Sequence, residues 1–142
     1  MMRNRGGFSL IELVLVISII ALLIMAVGLT SGVRENAKVH SASESVKAFR
    51  TAAESYIAAG NMTYTGITVS GLQTLGYLPA AFSATGSNPW GGNYAIAPNT
   101  DASKVDISLT GINSSAATRL SALFANSAAA TSYASETWTI TF

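Results

Sequence analysis

Gly6-Gly7-Phe8-Ser9-Leu10-Ile11-Glu12-Leu13 runs without a break into Val14-Leu15-Val16-Ile17-Ser18-Ile19-Ile20-Ala21-Leu22-Leu23-Ile24-Met25-Ala26-Val27-Gly28-Leu29. No charged residue occurs from Leu13 to Val33. At about 1.5 Å per residue, a helix of that length spans roughly the 30 Å hydrocarbon thickness of a bilayer. The segment therefore reads as a membrane helix. Glu12 is the exception within it: an ionised carboxylate just inside an apolar helix is costly without a partner, and such residues mark function.

The residues before this stretch orient it. Arg3 and Arg5 stand ahead of the apolar run with no acidic residue beside them. Positive charge stays on the cytoplasmic side, which sends the C-terminal part of the chain across the membrane. A secretory signal would end its apolar core after about 7–15 residues at a small-x-small site. Here the core is longer and flows into a polar helix, so cleavage in front of it is favoured over cleavage behind it.

Beyond Val33 the pattern changes from uniformly apolar to striped. Val39, Ala42, Val46, Phe49, Ala53 and Tyr56 recur at alternating spacings of three and four, which is one buried face of an amphipathic helix. No proline interrupts it, and Gly60-Asn61 ends it. The spacing predicts one helix from about Phe8 to Ala59. Gly28, Thr30, Ser31 and Gly32 are the weak helix formers within it, where either local loosening or close helix packing is expected. His40, the only histidine, is read as an exposed polar contact.

The remainder reads as a small sheet domain. Ser70–Gly76 is a short capped helical turn ahead of Pro79, and 80–88 is loop. Asn93–Ala97 begins a strand with Tyr94 and Ile96 on one face, and Val105, Ile107 and Leu109 alternate on the next. Pro98-Asn99-Thr100-Asp101 joins them as a hairpin. Ser114 or Ser115 caps a helix with Ala116, Leu120, Leu123 and Phe124 on one side. That helix ends in the alanine-rich stretch before Tyr133. Trp138, Ile140 and Phe142 alternate with Thr137, Thr139 and Thr141 on a last strand. The fold class is α+β: a long N-terminal α-helix, membrane-spanning in its first half, packed against a small antiparallel β-sheet domain.

Composition narrows the function classes. The 142 residues are 49% hydrophobic and only 11% charged, with a net charge of +1 and no cysteine. Lys104 and Arg119 are the only basic residues after Arg50, so there is no basic patch for nucleic acid, and the domain is held by packing rather than a disulfide. One histidine, no cysteine and, past Tyr56, acidic residues only at Asp101, Asp106 and Glu136 argue against an enzyme. Asp101 and Asp106 read as turn and strand-edge residues, and neither a metal nor a cofactor is expected.

Gly6-Gly7-Phe8-Ser9-Leu10-Ile11-Glu12 resembles the class III signal of type IV prepilins and the related type II secretion pseudopilins: a basic leader ending in glycine, then phenylalanine, then an apolar stretch with glutamate as its fifth residue. The resemblance implies that a membrane-embedded prepilin peptidase cuts between Gly7 and Phe8 and N-methylates Phe8. Cleavage would leave an ammonium at Phe8, one turn from Glu12 on the same helix face. That pair could close within one subunit or between neighbours in a filament, and the family expectation is the second.

Leu75-Gly76-Tyr77-Leu78-Pro79 and Asn88-Pro89-Trp90-Gly91-Gly92-Asn93-Tyr94 also resemble segments of type IVb-like pilins, and the latter is similar to a stretch of the major pseudopilin. Pro89, Trp90, Gly91 and Gly92 are read as a structural turn that anchors on the core through Trp90. The chain departs from many pilins in having Leu29 where they carry a proline, and no cysteine for a disulfide-bounded C-terminal loop.

The resemblance implies segments 1–7 as prepilin leader peptide, 8–33 as transmembrane and filament-core helix, 34–60 as amphipathic stalk helix and 61–142 as globular pilin domain. It implies a structural subunit of a type IV pilus, foremost the major pilin, serving adhesion, twitching motility or DNA uptake. The alternatives are a type II secretion pseudopilin or a minor pilin. The implied partners are further copies of the chain in a helical filament, prepilin peptidase, the inner-membrane assembly platform with its ATPase, minor pilins, and membrane lipid before assembly. Nucleic acid would be met only through the assembled pilus. Location follows: inner membrane as precursor, with a cytoplasmic N-terminus, and extracellular once assembled.

Overall fold

A single helix, α1 (Leu10–Ala58), accounts for the N-terminal third of the chain. The computed structural model describes residues 9–82 and 86–142, with the side chains of 28–31 excepted. The backbone of α1 is helical throughout, including Gly28 to Gly32. The chain divides into two compact units, one up to Asn36 and one from Ala37 to Phe142.

In the second unit, α1 contributes the stripe that the spacing predicts. Val39, Ala42, Val46, Phe49 and Ala53 are buried and Tyr56 is partly buried, and Ser43 and Ala52 join them. Ser43 is tolerated there because its hydroxyl donates to the His40 carbonyl at 2.8 Å. The opposite face carries exposed ion pairs, Glu44–Lys47 and Arg50–Glu54. Hydrogen bonding to Lys47 holds the Glu44 carboxyl below its ordinary range.

The helix turns off at Gly60, whose φ of 105° suits glycine. The next helix, α2 (Val69–Thr74), is capped two residues earlier than the Ser70 signal suggests: Thr68 is its N-cap and accepts from the Gly71 amide at 3.1 Å. Within the predicted loop, Ala80–Phe82 form a 3₁₀ turn, which brings Phe82 within 5.1 Å of Phe49 and 5.9 Å of Tyr94, ring centre to ring centre. Phe49 and Tyr94 lie 5.3 Å apart. This aromatic trio ties helix, loop and sheet together.

The sheet has four antiparallel strands: β1 (Tyr94–Pro98), β2 (Val105–Thr110), β3 (Ala130–Ala134) and β4 (Thr137–Thr141), in the spatial order β1-β2-β4-β3. Tyr94, Ile96, Val105, Ile107, Leu109, Trp138 and Ile140 fill its inner face, as their alternation requires. Between β2 and β3 runs α3 (Ser114–Phe124), capped by Asn113 rather than by a serine, through a 2.8 Å bond from the Ala116 amide. Its buried stripe is Ala116, Ala117, Leu120 and Phe124, whereas Leu123 is 60% exposed. The stripe leans toward Ser121, whose hydroxyl accepts the Trp138 indole N–H at 2.9 Å, and that rotation leaves Leu123 outside.

One strand is missing from the sequence-based expectation. The alanine-rich stretch ends α3 and then forms β3, whose five residues are all exposed. With no buried side chain, β3 leaves no hydrophobic alternation to read. A two-residue turn, Ser135-Glu136, connects it to β4 with φ of 48° and 57°. Both in the left-handed region, these residues make the turn whose twist suits a hairpin.

Candidate assembly site

Two apolar populations share α1. From Leu10 to Val27, every described side chain is exposed, Leu10 at 81% and Met25 at 73%. Ile20, Leu23, Ile24 and Val27 line a shallow apolar groove on this surface. Ser18 is compatible with it because its hydroxyl donates to the Val14 carbonyl at 2.8 Å, leaving no donor unsatisfied. α1 is the one helix among the described residues that is long and apolar enough to cross a membrane. An apolar surface this continuous needs lipid or other apolar helices around it.

Glu12 lies in the first turn, exposed. Its Oε2 accepts a hydrogen bond from the Ser9 amide at 3.3 Å. This is one half of a capping box, in which the residue three places into the helix satisfies the amide at its start. The helix N-terminus carries a partial positive charge, so the carboxylate also meets favourable electrostatics there. Ser9 is thus a contact of Glu12 that motif reading passed over, although Ser9-x-x-Glu12 is a legible signal. Gly7 and Phe8, the expected cleavage and methylation residues, lie outside the described residues.

The second sequence-predicted group, Pro89, Trp90, Gly91 and Gly92, forms a tight turn organised by its neighbour Asn88. Asn88 is buried to 4% exposure, and its side chain makes four bonds. Its Oδ1 accepts from the Trp90 amide at 3.0 Å and the Gly92 amide at 2.9 Å. Its Nδ2 donates to the Thr110 carbonyl at 2.7 Å and the Asn93 carbonyl at 3.3 Å. Gly91 has a φ of 84°, and a Cβ on Gly92 would fall 1.9 Å from the Thr110 carbonyl oxygen. The two glycines therefore differ: Gly91 supplies a conformation and Gly92 a close approach. Trp90 packs partly buried against the core. The group is a clasp between the 86–93 loop and the end of β2.

Asp101 and Asp106 are spoken for by local partners. Asp101 accepts from the Ser103 amide and hydroxyl, at 3.1 and 2.6 Å, and these bonds hold its carboxyl below the ordinary range. Asp106 accepts from Asn99 Nδ2 at 2.9 Å to each oxygen and from the Thr141 hydroxyl at 2.6 Å. Rather than solvating a strand edge, Asp106 sits on the central strand β2 and stitches the β1–β2 turn to β4. Among the described residues, no three His, Cys, Asp or Glu side chains converge as metal ligands would.

Against known families, residues 2–28 match the prokaryotic N-terminal methylation motif. No curated protein and no solved structure matches the chain.

Proposed function

We propose, for a chain whose methylation motif and helix-and-sheet fold assign it to the type IV pilin and pseudopilin family, that it is the major structural subunit of a type IV pilus. The observation that carries this reading is the methylation motif at the head of a helix whose apolar side chains are exposed from Leu10 to Val27. Before assembly, lipid covers that surface in a membrane-held precursor; in the filament, the helices of other copies do. The small domain, neutral and rich in hydroxyls, tiles the outside.

The chain's own residues supply each step. Prepilin peptidase cuts the 1–7 leader after Gly7 and methylates Phe8, the 8–33 segment becomes filament core, and 34–60 carries the 61–142 domain. Glu12 meets the ammonium at Phe8 of a neighbouring subunit. Desolvating a carboxylate is offset only when an opposite charge is close, so the pairing selects one register of addition. The inner-membrane platform and its ATPase drive addition, and minor pilins share the filament. Adhesion, twitching motility or DNA uptake is then a property of the assembled fibre, not of a catalytic site.

Glu12→Gln tests the pairing. We expect leader removal to proceed as in the wild type while surface filament yield falls at least tenfold; a normal yield refutes it. A pseudopilin is the second reading, favoured by the Asn88–Asn93 turn. It predicts that the chain is needed for protein secretion and forms no long surface fibres.

A further inference from the structure

The two edges of the sheet are not alike. Val105 and Phe142 exchange amide-to-carbonyl bonds of 3.1 and 3.0 Å, so the hydrogen-bonded pairs along β2 and β4 include Ile107–Ile140 and Leu109–Trp138. The backbone groups of Thr137, Thr139 and Thr141 then face β3, where Ala134, Ser132 and Ala130 receive them. This leaves the N–H and C=O of Thr131 and Tyr133 pointing away from the sheet.

On the other edge, the Thr110 amide donates to the Asn93 carbonyl, and by the same alternation Tyr94 and Ile96 turn their backbone groups outward. Tyr94 and Ile96 are buried, at 3% and 6% exposure, and Pro98 ends that strand without a donor. The β1 edge is closed. The β3 edge is open: all five residues are exposed, no described strand lies beyond it, and no charged residue occurs from Ala125 to Ser135. No lysine, proline or inward charge protects β3. The strand is held in shape, since the Tyr133 hydroxyl donates to the Ile112 carbonyl at 2.9 Å.

We propose that this edge pairs antiparallel with the β3 of a second copy, about a two-fold axis at Ser132. In that register, Thr131 of one copy lies opposite Tyr133 of the other, and each outward N–H and C=O finds its complement. Tyrosine and threonine stand side by side across the new pair, a favourable cross-strand combination. Ala130 faces Ala134 and Ser132 faces Ser132, so no like charges oppose each other. Shifting the register by two residues would leave outward groups unpaired. The contact is isologous and closes on two copies, so it joins two stored subunits or two neighbouring filaments and does not itself extend a fibre. A pair of five-residue strands is small beside a stable soluble interface, and membrane or filament concentration is what populates it.

The absence of cysteine makes the test direct. Ser132→Cys is introduced into the full chain in its native membrane, a mild oxidant is added, and disulfide dimers are quantified beside Ser108→Cys. Ser108 is on the same outer face but, in the paired sheet, about 24 Å from its counterpart. We expect Ser132→Cys to cross-link at least tenfold more than Ser108→Cys. Adding Thr131→Pro should return it to the Ser108→Cys level, because that N–H points outward and its loss costs no bond to β4. Equal cross-linking of the two cysteines, indifference to Thr131→Pro, or linkage to a different protein overturns the proposal. Repeating the measurement with Glu12→Gln separates it from filament formation, since edge pairing does not use Glu12 and should persist.

Discussion

Residues 10–27 and residues 39–56 belong to one helix and are both rich in apolar side chains, yet the first set is exposed and the stripe of the second is buried. The difference is in the pattern. A stripe at three-and-four spacing asks for one covered face, and Phe49 on that stripe meets Phe82 of the loop and Tyr94 of the sheet. An all-round apolar surface asks for a surrounding medium, which no single small domain can provide. The first region needs an apolar medium from outside the domain, and the second is finished within the chain.

That contrast is broken most easily at the finished end. Phe49→Ala removes the ring shared by helix, loop and sheet and should cost about 3–5 kcal/mol of domain stability, read by denaturant unfolding. Asn88→Ala comes next, at roughly 2–3 kcal/mol, because it leaves buried amides and carbonyls of the clasp unpaired. A shift below 1 kcal/mol would show that water replaces the side chain. In the opposite direction, Ser135→Asn with Glu136→Gly relieves the left-handed turn and should gain about 1 kcal/mol. At the unfinished end, Leu22→Ala should move domain unfolding by less than about 0.5 kcal/mol, since that side chain is 70% exposed and is not among the buried core residues. A larger shift would mean that the two regions are not energetically separate.

A smaller effect concerns pH. Burial raises the Tyr94 phenol above its ordinary value of 10.0, against a weaker opposing contribution from the Ser45 hydroxyl. A neutral form favoured in the folded state gives stability that is complete below that ordinary value and is lost as pH rises through the folded one. Tyr94→Phe should therefore flatten the alkaline end of the stability profile, measured by thermal unfolding above pH 9.

The sequence makes some of this architecture legible and hides the rest for physical reasons. The helix, its stripe, and strands β1, β2 and β4 declare themselves because each buries side chains at a fixed period. β3 buries none, so Ala130–Ala134 looks like a tail of α3. Thr68 and Asn113 take the caps that neighbouring serines could equally have taken, a choice made by tertiary geometry. Asn88 is one more polar residue in a loop until Thr110, distant in sequence, arrives beside it. Glu12 stands out by its cost, while Ser9, whose capping-box spacing to Glu12 is legible in the sequence, is passed over when the stretch is read for its apolar run.

The central claim is that residues 10–27 stay uncovered in the single chain because other copies cover them in a fibre. Shearing surface filaments from cells, imaging them and identifying their subunit by mass tests it most directly. We predict long filaments built chiefly of this chain, starting at Phe8 with a methylated amino group. Filaments that lack the chain, or a chain that remains in the membrane while filaments form normally without it, would contradict the account.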